Sequence, residues 1–146
     1  MHVSLFFVFG LATLINPCDA KAKAIRSELT KLSGCWIGVS RVDKEGLVEY
    51  PPGTVVLMMI DGPGKDAQVR PNFDVDPTKS PKEFCLRCTD RNLLGVYKFD
   101  GKRLTLCSFE SDEESSSKRP AKFAVKQGSG AVIEVFERLK PDSQQR

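Results

Sequence analysis

Histidine is almost absent from the 146-residue sequence, whose only copy is His2. His2 lies in a segment that we expect to be removed on export, so the mature chain would have no imidazole for general base catalysis or metal binding. Ser-His-Asp and Cys-His nucleophile arrangements are excluded with it. Carboxylates remain, but Asp74, Asp76 and the acidic run at 112–114 lie among polar residues, which is typical of solvated positions. The sequence therefore predicts a protein that is not an enzyme and has no catalytic residue and no cofactor.

The sequence also has no long block of Lys and Arg. Its 22 basic residues face 19 acidic ones, and the net charge of +3 is too small to indicate a nucleic-acid-binding groove. Hydrophobic residues at 40% and charged residues at 28% are typical of a globular chain, and the length suits one domain. We therefore predict a single monomeric domain over residues 21–140, a disordered tail at 141–146 and no nucleic-acid partner.

No apolar run is long enough to span a membrane as a helix. The longest, VSLFFVFGLATLI at 3–15, is shorter than the roughly 20 residues of a spanning helix and has the length of a signal-peptide core. Small residues after it offer three cleavage positions, of which the first two are favoured: Ala20, Ala22 and Ala24. We predict a signal peptide at 1–20, a periplasmic or extracellular protein, and no stable membrane insertion after cleavage. Because the basic residues follow the apolar run, an uncleaved anchor or a mis-set start codon remains an alternative.

The rest of the chain reads as one helix followed by strands. Apolar residues at 24, 25, 29 and 32 recur with a helical period and predict a short amphipathic helix over 21–32, with Gly34 as its stop signal. Beyond it, short β-rich runs alternate with turn residues, which is typical of an all-β sandwich or barrel. The eight predicted strands cover residues 35–42, 46–50, 54–61, 67–75, 83–88, 93–99, 103–109 and 131–139.

A hairpin between the sixth and seventh strands sets their register. Asp100-Gly101 between two alternating runs predicts a two-residue type I′ turn. Such a loop pairs Tyr97 with Leu104. Tyr97, Leu104 and Leu106 then share one face of the hairpin, which we assign to the interior.

Three stretches resemble a known family. They are LSGCW at 32–36, LLGVYKFDGKRLTLC at 93–107 and the ending at 123–140, with DPTKSPK at 76–82 in the matching place. Over about residues 25–140 the chain resembles a family of uncharacterised extracytoplasmic domains described chiefly from planctomycete bacteria, whose function is not established. Gly34-Cys35-Trp36 is also similar to the Gly-x-Trp motif that opens lipocalin-like barrels. The resemblance implies an all-β fold: an antiparallel eight-stranded lipocalin-like barrel preceded by one short helix.

Lipocalin-like barrels place an arginine near the chain end over the tryptophan of that motif. The resemblance therefore implies that Gly34, Trp36 and Arg138 form a structural signature, with the Arg138 guanidinium on the indole at one end of the barrel. Topology supports this, because the last strand of a closed barrel returns beside the first. The competing interpretation is that Arg138 is a solvated charge on an edge strand.

Four cysteines would remain after cleavage: Cys35, Cys85, Cys88 and Cys107. They allow three disulfide connectivities, a metal site, a redox pair or buried thiols. Residues three apart on a strand point to opposite faces, so Cys85 and Cys88 cannot pair there. A single Cys-x-x-Cys is half of a zinc ribbon. We favour buried or half-buried thiols, with one disulfide as the alternative, and predict no metal site.

An eight-stranded barrel either fills with side chains or holds one small ligand. Candidates to line such a cavity are Trp36, Met58, Tyr97 and Phe123. The competing interpretation is that these side chains form the core. We therefore predict a non-enzymatic exported domain that binds a small apolar ligand. The alternative is a cell-envelope module that binds a protein or an acidic glycan through its basic surface or an exposed strand edge.

Overall fold

The computed structural model of the chain describes residues 17–53, 56–59, 73–88, 91–112 and 118–139, the segment 56–59 through its backbone. One helix, α1 (Pro17–Leu32), precedes eight antiparallel strands of one sheet. The strands are β1 (Gly34–Asp43), β2 (Gly46–Glu49), β3 (Val56–Met59), β4 (Phe73–Asp76), β5 (Lys82–Arg87), β6 (Asn92–Asp100), β7 (Arg103–Ser111) and β8 (Val132–Arg138). Each predicted strand overlaps an observed one, so the prediction of a mainly β chain with one helix is confirmed.

The helix begins earlier than predicted, at Pro17 rather than at Lys21. Lys21 makes an ion pair with Asp76 at the end of β4, with 3.1 Å between Nζ and Oδ2. Residues 17–20, the end of the predicted signal peptide, form the exposed first turn of α1. The remainder of that predicted segment and the predicted tail at 141–146 lie outside the described residues.

The sheet forms a half-barrel. Seven strands pair successively in the order β2-β1-β8-β7-β6-β5-β4, and β3 pairs with β1 beside β2. The last strand returns beside the first, as predicted, and Trp36 of β1 pairs with Arg138 of β8. On its other edge, β1 pairs with β3 at 34–37 and with β2 at 40–43. Among the described residues β4 has no pairing with β2 or β3, so the arrangement shown is a half-barrel.

The turn of the β6–β7 hairpin lies one residue later in the chain than predicted. Asp100 pairs with Arg103, so the central turn residues are Gly101 and Lys102. Gly101 has φ +58°, and no described non-glycine residue has positive φ. One positive φ, at the first central residue, is typical of a type II′ turn, so the type I′ prediction is wrong. Tyr97 accordingly pairs with Leu106.

The predicted interior face of the hairpin is correct despite this change of register. The register moved by two residues, and side chains alternate with a period of two, so each residue kept its face. Tyr97, Leu104 and Leu106 are all buried in one cluster, as predicted. We call the sheet face that carries them, and on which α1 packs through Leu29 and Leu32, the inner face.

The inner face is filled by aromatic side chains. Five rings contact one another in sequence from β4 to β1, with centroid separations between 5.4 and 6.4 Å: Phe73, Phe84, Tyr97, Phe99 and Trp36. A Cβ on Gly95 would lie 2.3 Å from the Cys107 carbonyl oxygen and 2.6 Å from the Phe84 ring, so this position accepts only glycine. The centre of the half-barrel is therefore a packed core.

The opposite face, which we call the outer face, carries a second buried layer. Leu94, Val96 and Cys107 are buried there. The segment 118–131 runs over this face, and the Cys107 thiol donates a hydrogen bond to the Lys122 carbonyl over 3.7 Å. Phe123 lies in the same segment, with the Lys98 ammonium 5.0 Å from its ring centroid. The sheet is thus covered on both sides.

Candidate functional site: the end cleft

A cleft of about 650 Å³ lies at the end of the half-barrel where α1 ends and β1 begins. Because the strands are antiparallel, the β6–β7 turn and the end of β8 lie at this same end of the sheet. We call this space the end cleft. Its lining residues are Lys31, Trp36, Lys82, Phe99, Gly101, Lys102, Arg138 and Leu139. Its volume is in the range of small-molecule sites, which is about 300–1,000 Å³.

The apolar wall of the end cleft is held rigidly. The Trp36 indole N–H donates a hydrogen bond of 2.8 Å to the Leu32 carbonyl, in the last turn of α1. Trp36 is only 2% exposed, and its ring centroid is 6.1 Å from that of Phe99. Buried indole N–H groups require such a partner. The indole orientation therefore depends on the position of α1.

Arg138 lies over the other side of this wall, as predicted. Its guanidinium carbon is 4.5 Å from the Trp36 ring centroid. Its two terminal nitrogens donate hydrogen bonds to the Ser33 carbonyl, at 2.8 Å, and to the Lys31 carbonyl. A cation at these carbonyls suits the negative end of the helix dipole. Arg138 therefore connects β8 to the end of α1 and stacks on the indole, an interaction that contributes roughly 0.5–2 kcal/mol.

Gly34 completes the predicted signature. It has φ +118°, which side-chain-bearing residues rarely adopt, and a Cβ on it would lie 3.2 Å from Arg138 Nη1. Arg138 therefore lies close to both Gly34 and Trp36 at one end of the sheet. The glycine allows the guanidinium to approach the chain between α1 and β1.

A buried carboxylate lies beneath the end cleft. Glu28 of α1 is 5% exposed. Its Oε2 accepts a hydrogen bond of 3.1 Å from the Tyr97 hydroxyl. Its Oε1 accepts hydrogen bonds from Lys82 Nζ at 2.8 Å and from Lys31 Nζ at 3.0 Å. We call these four residues the Glu28 network.

Electrostatics fix the charge states within the Glu28 network. Burial raises the pKa of Glu28, but the hydrogen bonds from Lys82, Lys31 and Tyr97 outweigh it, and the net shift is downward. Burial and the nearby Glu28 charge raise the pKa of Tyr97. Near neutral pH, Glu28 is therefore ionised and Tyr97 is a protonated donor.

The end cleft has more cations than anions. Lys31 and Lys82 share the single Glu28 carboxylate. Lys102 has no hydrogen bond or ion pair with any described residue, and the hydrogen bonds of Arg138 go to carbonyl groups. No acidic residue is among the lining residues. The cleft thus combines an aromatic wall with a positively charged rim.

The four residues predicted to line one cavity are not brought together. Trp36 lines the end cleft, whereas Tyr97 is buried in the core and bound to Glu28. Phe123 lies on the outer face, because its segment crosses that face of the sheet. The side chain of Met58 lies outside the described residues.

Sequence reasoning missed Glu28 and the lysines of the cleft. A signal existed for Glu28, which stands at the helical spacing of Ile25, Leu29 and Leu32 and is the charged residue of that apolar stripe. Lys102 had no comparable signal, because a lysine in a hairpin turn is typical of solvated loops.

Three of the four predicted thiol positions are buried or half-buried, as expected. Cys85 and Cys107 are buried, Cys35 is half-buried, and Cys88 is exposed just after the end of β5. Burial raises the pKa of the Cys107 thiol. In the described segments, no group of three or more His, Cys, Asp or Glu side chains is placed to hold a metal ion. Nor does any helix in those segments have the length and hydrophobicity to span a membrane.

Comparisons with protein-family models, with curated proteins and with solved structures found no match to this chain. A functional assignment therefore rests on the geometry of the end cleft.

Proposed function

We propose that this chain is an exported, non-enzymatic binding protein of lipocalin-like architecture, and that it holds a small ligand with an apolar body in the end cleft. The observation that carries the proposal is the cleft itself: about 650 Å³ beside Trp36, Phe99 and Leu139. Apolar walls with a few polar groups at the margin are typical of small-molecule sites. Aromatic side chains fill the centre of the half-barrel, so the proposed site lies at its end and not inside it.

The chain carries its own reporter for this binding. Trp36 is the single tryptophan and lines the cleft, so its fluorescence reports on the cleft alone. Titration of the protein with 1-decanol, a neutral amphiphile, should change the Trp36 emission in a saturable way. Absence of any change, together with absence of binding by calorimetry, would contradict the proposal.

A pair of variants locates the binding. Phe99→Ala removes a wall of the cleft and should weaken decanol binding about tenfold, since a buried phenyl contributes more than 1.4 kcal/mol. Phe109→Ala is the matched control, because Phe109 is a half-buried aromatic at the far end of the same hairpin. Circular dichroism should show native structure for both. Equal affinities of the two variants would place the ligand elsewhere.

A second function is supported by a different observation. On β2, an end strand of the described sheet, Leu47 is 64% exposed and Val48 is 51% exposed. Exposed apolar residues on an open strand edge favour pairing with another chain. This supports the envelope interaction module as the alternative function.

Photo-crosslinking in cells tests that alternative. A photoreactive residue in place of Leu47 should give a discrete crosslinked species, whereas one in place of the exposed Lys44 in the adjacent turn should not. Identical products from both positions, or none from either, would contradict a partner at the β2 edge.

A further inference from the structure

The distribution of charge around the end cleft differs from that elsewhere in the protein. Elsewhere in the described residues, Lys21 pairs with Asp76 and Arg103 pairs with Glu137, one cation with one anion. At the end cleft, four cations line the space and one carboxylate, Glu28, lies beneath them. The two carboxylate oxygens of Glu28 accept hydrogen bonds from Tyr97, Lys31 and Lys82. Glu28 therefore does not neutralise Lys102 or Arg138.

Lys102 and Arg138 differ in how firmly the protein holds them. Arg138 is fixed by its stack on Trp36 and by two hydrogen bonds, which use two of the five N–H donors of a guanidinium. Lys102 lies in the β6–β7 turn, and its ammonium group has no hydrogen bond or ion pair with a described residue. An incoming anion would therefore not have to displace such a partner. The cleft therefore presents one preorganised cation and one adaptable cation.

We propose that the ligand of the end cleft is an amphiphile with an anionic head group, which Lys102 and Arg138 bind at the rim while the apolar body lies along Phe99 and Leu139. This inference rests on the proposed function and specifies its ligand class. A carboxylate and a phosphate share the required chemistry, because both accept charge-assisted hydrogen bonds from ammonium and guanidinium groups.

Two other anionic partners fit the geometry less well. A single-stranded nucleic acid needs free aromatic faces for its bases, but Trp36 is 2% exposed and carries Arg138 on its ring. An anionic membrane surface needs protruding apolar side chains, and the large exposed ones in the described segments, Leu47 and Val48, are on β2 rather than at the cleft. A recessed apolar wall behind a cationic rim suits one small amphiphile.

The test compares ligands with the same chain and different heads. Decanoate, decyl phosphate and 1-decanol are titrated separately into the full protein, below their aggregation concentrations, with Trp36 emission as the signal. Decanoate and decyl phosphate should bind about tenfold more tightly than decanol, and added salt should reduce that preference. Equal binding of all three would overturn this inference while the proposed function stands. Binding of none would overturn both.

Variants assign the head-group contact. Lys102→Met should remove most of the preference for decanoate over decanol. Lys44→Met is the matched control, since Lys44 is an exposed lysine in the β1–β2 turn, at the other end of β1 from Trp36. A preference that survives in Lys102→Met, or that is equally lost in Lys44→Met, would overturn the assignment. Co-sedimentation with phosphatidylglycerol vesicles but no response to monomeric decanoate would indicate a membrane surface instead and would also overturn it.

Discussion

Replacing Glu28 by glutamine tests how the helix is held on the sheet. Glu28→Gln keeps the side-chain volume and an oxygen that can accept the Tyr97 hydrogen bond, but it removes the charge that binds Lys82 and Lys31. We expect the free energy of unfolding to fall by about 1–3 kcal/mol near neutral pH, because hydrogen bonds to charged groups are each worth roughly 1.5–3 kcal/mol.

Two limits bracket this value. Stranding one member of a fully buried ion pair costs about 3–5 kcal/mol, and an exposed pair contributes about 0–1 kcal/mol. Glu28 is buried, but the side chains of Lys31 and Lys82 are 57% and 38% exposed, so their ammonium groups regain water when the charge is removed. The expected loss therefore lies between these limits. Glu49→Gln, on the exposed strand β2, is the control and should change stability by less than about 0.5 kcal/mol.

The pH dependence identifies the charge as the cause. Burial raises the pKa of Glu28, but the three hydrogen bonds lower it by more, so the pKa in the folded protein is below its ordinary value of 4.5. The charge therefore contributes its full stabilisation above pH 4.5 and loses it as the pH falls through the folded-state pKa. Urea unfolding followed by Trp36 fluorescence at about pH 7 and about pH 3.5 should show a smaller cost of Glu28→Gln at the lower pH. The same cost at both values would refute the reasoning.

Three further outcomes are expected. Gly95→Ala should lower the free energy of unfolding by about 2–4 kcal/mol, since its Cβ would lie 2.3 Å from the Cys107 carbonyl oxygen; wild-type urea stability would show that the strands can separate there. Arg138→Ala should lower the melting temperature by a few degrees through loss of the stack on Trp36, and an unchanged melting curve would contradict that role. Mass-spectrometric sequencing of exported protein should find a chain that begins at Lys21 or within a few residues of it, and an intact Met1 on soluble cytoplasmic protein would contradict cleavage.

Much of the fold follows from local sequence signals. Turn residues such as those at 43–45, 76–81 and 100–101 interrupt the β-rich runs, and each interruption lies at or beside a strand end in the structure. The facing of Tyr97 and Leu106 was predicted correctly even though the turn was not, because facing depends only on whether the register moves by an odd or an even number of residues. The turn type depended on a finer preference, the placement of one positive φ at Gly101.

The predictable part of the site is the part fixed by topology. The contact of Trp36 with Arg138 follows once the last strand is placed beside the first, because the two residues are then register partners. The lysines of the cleft belong to three separate elements: Lys31 to α1, Lys82 to β5 and Lys102 to the β6–β7 turn. Their proximity depends on where the end of α1 rests, and no local pattern in the sequence encodes that position.

The position of α1 links the stability of the fold to the shape of the end cleft. Three sets of contacts hold the end of the helix: the Glu28 network, the Trp36 bond to the Leu32 carbonyl, and the Arg138 bonds to carbonyl groups at the helix end. The first set supplies two of the lining lysines and the others orient the aromatic wall. A ligand in the cleft therefore binds the state in which α1 is docked, and it should raise the free energy of unfolding in proportion to the logarithm of its concentration once that exceeds Kd. By the same linkage, a change that loosens α1 without touching the cleft wall weakens binding only by the fraction of molecules in which the helix is undocked. For the proposed ligand, helix docking and binding are thus two linked equilibria.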